Sequence, residues 1–404
     1  MTTTPYDLYG DRTLAQLRNQ LERLADVPLY EDTFAKTDLE PTDVTSWEDF
    51  RRLPLTSTDD LLDDVDANPP TGSLHEKGAM ISFTPAKDRE LPVFETPEDI
   101  ERYAEVHGPI FDRLGIKPGM RAMVAFGYHG FGTGYLLHRA LEYNGVEVIP
   151  AGPGDSEAKA ARIDEFDVDV LWANPSFALE IAEHGGDSLD IFIGGGEPFT
   201  SVEGRREQVH KAFGDLDCAV DCFGLRQAWP VAVECAAEVG LHVADEYMLV
   251  EIIDPETTEV LPLGERGELV LTHLDREAGG LLRYRTGDLS VLEEGSSPHV
   301  DGSTLVMPKG VFGRTDEMHK IKGVKVYPQG IPLVLGSFDG LNPFAYRLTI
   351  SNEGGSDHLA VTVEGEADTE ALTDALTDRL LVRPDEISIV DDLEDGSNVV
   401  DERY

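Results

Sequence analysis

Cysteine is scarce in this chain: Cys218, Cys222 and Cys235 are the only three in 404 residues. An odd number with no Cys-x-x-Cys pair argues against a disulfide framework. Positive charge is also short, with 33 Lys and Arg against 78 Asp and Glu and a formal charge of −45. Such a chain has no broad cationic face to lay on nucleic acid, so no nucleic-acid partner is expected. No apolar run approaches the roughly 18 residues that a membrane span needs. The first residues, Met1-Thr2-Thr3-Thr4-Pro5-Tyr6, lack the apolar core of a secretory signal. These absences predict a cytoplasmic protein with no membrane partner.

What is present is a globular composition, 41% hydrophobic. The length exceeds what one core usually serves, so two or more domains are expected. The acidic residues run from end to end, which predicts a solvated shell suited to a high-salt cytosol, where screening removes self-repulsion. An acidic interaction tail would gather the charge in one block instead.

Leu14, Leu17, Leu21 and Leu24 recur at helical spacing and predict an amphipathic helix over 11–26. Leu53-Pro54-Leu55 reads as an extended entry to a helix with Thr58 as its N-cap. Thr96-Pro97-Glu98 opens another helix, with Ile100, Tyr103, Val106 and Ile110 on one face. Strands at 122–126, 146–149, 168–173, 191–193 and 219–221 then alternate with helices at 135–144, near 156–164, at 175–184 and at 200–213. That rhythm means βαβ units and a parallel sheet. After about 247 it changes to paired strands at 248–253 and 268–272, read as an antiparallel appendage to that sheet. Beyond 316, strands at 346–351 and 358–364, a helix at 368–380 and a last strand at 386–390 form a smaller unit. The expected class is α/β: a large N-terminal domain with a parallel βαβ sheet plus antiparallel strands, and a small α+β C-terminal lid domain.

Two glycine clusters follow strands. Gly130-Phe131-Gly132-Thr133-Gly134 sits where a dinucleotide fingerprint would, but its spacing is GxGxG, and the next strand runs into Pro150-Ala151-Gly152 without the expected acid. Gly194-Gly195-Gly196-Glu197-Pro198 follows an apolar strand and allows close backbone approach. Later, Arg283-Tyr284-Arg285-Thr286-Gly287-Asp288 is a β-capable run that stops at a turn and presents Asp288 just past it. A carboxylate there can accept two hydrogen bonds, which suits a vicinal diol such as a ribose. Gly313-Arg314-Thr315-Asp316 adds a planar five-donor fork suited to phosphate or ribose oxygens. A solvated turn at a strand end is the plain reading of either peptide.

The order and spacing of these peptides, with Lys322-Gly323 and Val326-Tyr327-Pro328 after them, resemble the adenylate-forming enzymes, in the phenylacetate–coenzyme A ligase branch. The likeness runs from about residue 50 to the end. It implies a large adenylate-binding domain at 1–315 and a small mobile domain at 316–404, turning on a hinge at Asp316. It also implies activation of a small-molecule carboxylate by ATP, giving an acyl-adenylate, and transfer to coenzyme A with release of AMP. Residue by residue, Glu197 and Pro198 would lie against the adenine. Asp221, Phe223 and Gly224 would contact the adenylate, and Asp288 and Arg314 the ribose and phosphate. Ser82, Thr84 and Lys87 stand in the segment aligned with the phosphate loop. Tyr128 and Phe131 would line the acid's pocket, and with His129 and Trp172 they suggest an aromatic acid. Lys322, with Gly323 and Val324, would line the thiol's approach. A homodimer is compatible with the branch.

The chain departs from the family at several places. Asp221-Cys222-Phe223-Gly224-Leu225-Arg226-Gln227 has Gln227 where the family has a magnesium-binding glutamate, and a neutral amide is a poor ligand for a hard dication. Arg226, in place of a serine or threonine, is a candidate phosphate contact. The phosphate-loop segment 81–92 contains no glycine, and Pro85 removes an amide. Ser397 stands at the place of the family's adenylation lysine, and no lysine follows Lys325. Losing a positioned cation typically slows a reaction by ~10²–10³. Cys235 and His242 match half of a zinc site found in some relatives, but Gly310 and Phe312 occupy the other half, so no zinc is expected. Three readings follow: a coenzyme A ligase with altered phosphate handling, a silent nucleotide-binding sensor or partner subunit, or an enzyme of the thioester half-reaction.

Overall fold

The βαβ rhythm produces five short parallel strands, in the sheet order Cys218–Leu225, Ile191–Gly194, Val170–Ala173, Arg121–Val124 and Glu147–Pro150. Antiparallel strands Ala228–Val233, Leu241–Val243, Val300–Met307 and Glu293–Ser297 extend this sheet to nine. The computed structural model describes residues 3–87, 89–214, 216–315, 319–322, 324–326, 328, 330–338, 340–353, 356–390, 393 and 398–403. By compactness the chain divides into one unit of Met1–Phe199, Arg206–Thr286 and Ser290–Gly310, and a second of Thr200–Arg205, Gly287–Leu289 and Val311–Tyr404.

Strand alternation sorts side chains in the first unit. From Val170–Ala173, Leu171 and Ala173 enter a core with Phe192, Ile163, Ile181 and Phe213, while period-two geometry sends Trp172 to the other face. There Trp172 meets His107 and Phe111 of the helix Pro97–Leu114 at ring distances of 6.1 Å each. That helix begins at Thr96, whose hydroxyl accepts from the Asp99 N–H while the Asp99 carboxylate accepts the Thr96 N–H. The same box caps Thr58–Ala67, but from Ser57. Thr58, expected as the N-cap, is the first helical residue instead, and its hydroxyl meets Tyr284 Oη at 2.8 Å.

Three expectations are corrected here. The strands Met248–Ile253 and Arg266–His273 form, with Tyr284–Val291, a separate antiparallel sheet and not an appendage of the large one. The helix expected at 200–213 occupies only Arg205–Phe213, since 201–204 turn through Gly204 at φ +75°. Residues 81–92, aligned with the phosphate loop, are most of a regular hairpin. Met80–Ala86 pairs with Arg89–Glu95 in unbroken antiparallel register, turning at Lys87 with φ +58°.

In the second unit, Leu341–Glu353 and Ser356–Gly365 form a long antiparallel pair flanked by parallel strands Glu386–Val390 and Val399–Asp401. The strand after 386–390 was not expected. Leu348, Ile350, Val361 and Val363 bury one sheet face against Leu372 and Leu376 of the helix Thr369–Leu380. No helix among the described residues is long and apolar enough to cross a membrane.

Buried imidazoles make the first unit acid-sensitive. Burial holds His107 and His242 down to about 4 from an ordinary 6.5. Because the folded values are depressed, this stability is fully present above pH 6.5 and is lost as pH falls toward 4. We expect the unfolding midpoint to drop across that window, and His107→Phe to flatten the drop, read by thermal melts at stepped pH.

Candidate active site

The first unit encloses a cavity of about 380 Å³, within the range of small-molecule sites. Its wall comes from separate elements. Tyr103 stands on the helix Pro97–Leu114, Trp172 on the parallel sheet, Trp229 on the adjoining antiparallel strand, and Leu136 and Leu137 on the helix Thr133–Tyr143. The Trp172 and Trp229 rings are 6.3 Å apart. The Trp172 indole donates to Cys222 Sγ at 3.3 Å, turning its polar edge into the sheet. The Tyr103 hydroxyl and Trp229 Nε1 are sealed within the wall, facing each other. The wall is mainly ring faces and aliphatic groups, with His129, Thr133, Asn174 and Arg226 as its polar members, which suits a largely apolar acyl group.

One side of the cavity is backbone. Gly195 and Gly196 follow the strand Ile191–Gly194, and Gly224 faces them. Gly224 is required by its neighbour, since a Cβ there would lie 2.1 Å from Trp229 Cε3. Asn174 Nδ2 donates to the Gly195 carbonyl at 2.9 Å and fixes this segment.

The mouth is held by a buried ion cluster. Arg226 Nε donates to the Phe131 carbonyl at 2.6 Å, Nη1 to Glu95 Oε1 at 2.7 Å, and Nη2 to Glu95 Oε2 at 2.9 Å. Nη2 also meets the Ser82 hydroxyl. Arg276 Nη2 reaches the same carboxylate at 3.0 Å. Burial works to raise the Glu95 carboxyl, but the two guanidinium groups outweigh it and hold the acid below its ordinary range.

The expected site residues fall in several places. Phe131 and His129 line the cavity. Tyr128 is not among the residues that line it. The 126–134 loop closes on itself, Gly134 N–H to the Gly127 carbonyl at 2.9 Å and Gly132 N–H to the His129 carbonyl at 2.8 Å. Tyr128 is left facing His138 Nδ1 at 3.3 Å in a neighbouring groove. Glu197 accepts the N–H and, at 2.8 Å, the hydroxyl of Ser176, capping the helix Pro175–Ala182. Pro198 is exposed beside it. Asp221 is buried, with its N–H donating to Glu234 Oε2 at 2.8 Å. Phe223 is half-buried one strand position before Gly224.

Ser82 is buried in the Arg226 cluster, and Thr84 is half-buried on the hairpin. Lys87 is exposed at the hairpin tip and ion-paired with Asp59. Arg226, a candidate phosphate contact in the sequence, is committed to Glu95, Ser82 and Phe131. Gln227 Nε2 donates to the Tyr284 hydroxyl at 3.2 Å. In the second unit, Arg314 Nη1 meets Asp288 Oδ1 at 3.1 Å across directly paired strands. Lys322 Nζ grips both oxygens of Asp385 at 2.5 and 2.6 Å. Asp316, Gly323 and Ser397 lie outside the described residues.

A protein-held magnesium ion does not fit at Gln227, and no group of three His, Cys, Asp or Glu capable of holding a metal occurs among the described residues. Cys235 Sγ meets Ser297 Oγ at 2.9 Å, and His242 Nδ1 meets Thr304 Oγ1 at 2.9 Å.

Sequence reasoning passed over Glu95, Leu136, Leu137, Asn174 and Trp229, and took Tyr103 for a packing residue. One signal was readable: a turn at Arg226-Gln227 pairs Leu225 with Ala228, and the Trp229 ring lies over Gly224.

No family model matches the chain. It is 32% identical to a phenylacetate–coenzyme A ligase of Thermus thermophilus over 349 residues, 84% of this chain and 77% of that one. A phenylacetate–coenzyme A ligase of Aromatoleum evansii is 33% identical over 368 residues, covering 85% and 80% respectively. Among solved structures, 2-hydroxyisobutyryl-CoA ligase in its postadenylation state, in complex with 2-HIB-AMP, superposes with a TM-score of 0.81 at 23% identity, over 100% of this chain and 91% of that one. With identity above 30% across most of both chains, this protein belongs to the phenylacetate–coenzyme A ligase family.

Proposed function

We propose that the protein is an AMP-forming acid–coenzyme A ligase that seats an aryl or other apolar carboxylate in the cavity of the first unit. The aromatic-walled cavity carries this reading, because one side of it is built from Gly195, Gly196 and Gly224 of the two motifs that the family places against the adenylate. In the first step a carboxylate oxygen attacks the α-phosphorus of ATP, forming an acyl-adenylate and releasing pyrophosphate. In the second, the coenzyme A sulfur attacks the acyl carbon, the thiol proton leaves to solvent or a base, and AMP departs. Both steps bring anions together, so cations and amide dipoles must offset the repulsion.

By family likeness, Glu197, Pro198, Asp221, Phe223, Asp288 and Arg314 serve the nucleotide, and Lys322 serves the thioester step. Asp316 serves as the hinge between domains at 1–315 and 316–404. Magnesium would arrive on the nucleotide's phosphates, since Gln227 supplies no carboxylate. The spread of acidic residues supports work in a high-salt cytosol, without nucleic acid or membrane, and a homodimer remains compatible with the family.

ATP–pyrophosphate exchange and thioester formation, assayed with aryl, aryl-acetyl and short aliphatic acids in dilute buffer and in molar KCl, test the proposal. We expect exchange that depends on one class of apolar acid and is stronger in KCl. Protein that binds AMP but exchanges pyrophosphate with no acid would retire it.

A further inference from the structure

Two departures from the family meet in space. The position before the lost metal-binding glutamate carries Arg226 in place of serine or threonine, and the glycine-rich phosphate loop is replaced by the hairpin of Met80–Ala86 and Arg89–Glu95. Arg226 bonds both ends of that change, the Ser82 hydroxyl on one strand and the Glu95 carboxylate on the other. Its Nε then takes the carbonyl of Phe131, whose own side chain lines the cavity while 42% exposed. The hairpin adds a direct bond, with the Phe83 N–H donating to the Gly130 carbonyl at 2.9 Å. Gly132 makes this approach feasible: φ is +71°, and a Cβ would stand 3.1 Å from Arg226 Nη2 and 3.2 Å from Ser82 Cβ.

The hairpin is also tethered near its tip, by more exposed ion pairs. Arg89 holds Asp66 through two bonds of 2.7 and 3.0 Å and the Leu62 carbonyl at 3.0 Å, and Lys87 pairs with Asp59. All three partners lie on the helix Thr58–Ala67. A segment pinned at tip and base cannot wrap a phosphate chain as a flexible loop does, but it can serve as a rigid buttress.

We propose that Arg226 is a positioning residue for the acid: it latches the 126–132 loop to the hairpin and thereby holds Phe131 as a wall of the cavity mouth. This rests on the acid-seating proposal above. Arginine suits the task because its planar fork satisfies a carboxylate, a hydroxyl and a carbonyl at once, which a lysine ammonium on a flexible stem cannot reproduce. The latch acts on where the acid sits and not on the bonds that form, so its loss should weaken binding more than turnover.

The test compares Arg226→Lys, Ser82→Ala, Phe131→Ala and the Arg226→Lys/Phe131→Ala double variant with wild type. Phenylacetate is the probe, read both by steady-state kinetics and by quenching of intrinsic tryptophan fluorescence. Trp172 and Trp229 line the cavity, whereas Trp47, the third tryptophan, packs on Tyr6 and Tyr9. For Arg226→Lys we expect Kd and KM for the acid to rise about tenfold, with kcat and the KM for ATP within about threefold. Ser82→Ala, which keeps the ion pair, should shift Kd the same way by about threefold, and it carries the test if Arg226→Lys fails to fold. Phe131→Ala and Arg226→Lys should be non-additive, since one acts through the other. Unchanged Kd in Ser82→Ala and Arg226→Lys, or strict additivity of the pair, would overturn the latch alone. Wild-type protein that neither binds nor turns over any apolar acid would remove the acid-seating proposal, and the latch with it.

Discussion

Replacing Glu95 by glutamine should destabilise the first unit by about 3–5 kcal/mol, the usual consequence of breaking a buried ion pair from one side, and lower its melting midpoint on the order of 10 °C. Glu95 is 2% exposed and receives two hydrogen bonds from Arg226 and one from Arg276. The two arginines are not equally dependent on it. Arg276 also donates to the carbonyls of Ala278 and Phe94 at 2.8 and 2.6 Å and to the Tyr247 hydroxyl at 3.1 Å, and it feels the Asp99 charge. Among the described residues, Arg226 has only the Phe131 carbonyl and the Ser82 hydroxyl besides Glu95, both neutral. Glutamine would remove the charge that compensates Arg226 and present an NH2 group toward a donor fork. The loss should therefore fall mainly on Arg226, and removing that charge as well should recover part of it. In thermal and urea unfolding, Glu95→Gln/Arg226→Met should be more stable than the sum of the single changes predicts. A single-variant loss under about 1 kcal/mol would mean that water reaches the cluster and that the ion pair is not a buried one.

That cluster also shows where sequence reasoning ends. The parallel strands were legible because alternation and helix spacing are local properties, and Leu171 and Trp172 occupy the opposite faces that period two requires. The separate sheet of Met248–Ile253 and Arg266–His273 was not, because pairing partners are chosen by long-range packing that no local pattern records. The hairpin at 80–95 was missed for another reason. Alignment with the family's phosphate loop left its secondary structure unassigned, although a segment without glycine and rich in apolar residues has little of the freedom a phosphate loop needs. Motif likeness named Phe131 and Tyr128 together, yet only Phe131 lines the cavity, since a loop that closes on its own glycines can point adjacent side chains in different directions. Glu95 left no trace in the sequence: a glutamate at a strand end reads as surface until two arginines from distant segments are seen to converge on it.

Gly224 was named for its place in a nucleotide motif, and the structure sets a packing demand on it. We expect Gly224→Ala to lower kcat/KM for an apolar acid by ~10²-fold, in line with what a displacement near 1 Å does to a positioned substrate. Its backbone is not in the left-handed region, so no φ strain is involved. The obstacle is the Trp229 ring, whose Cε3 and Cδ2 would lie 2.1 and 2.9 Å from the new Cβ. The ring has to move, and Trp172, with its ring centre 6.3 Å away, restricts that movement on one side. Trp229 lines the cavity, so a displaced ring should narrow it at the expense of the acid. Overpacking of this kind also lowers stability by about 1–3 kcal/mol, less than the loss expected at Glu95. Gly224→Ala/Trp229→Leu separates the two effects, because it restores room for the methyl while removing a ring face. The double variant should relieve the clash while losing the packing of the ring, and bind bulkier acids better than small ones. Unchanged kcat/KM in Gly224→Ala would show that Trp229 yields without touching the substrate, and that the acid is seated elsewhere in the unit.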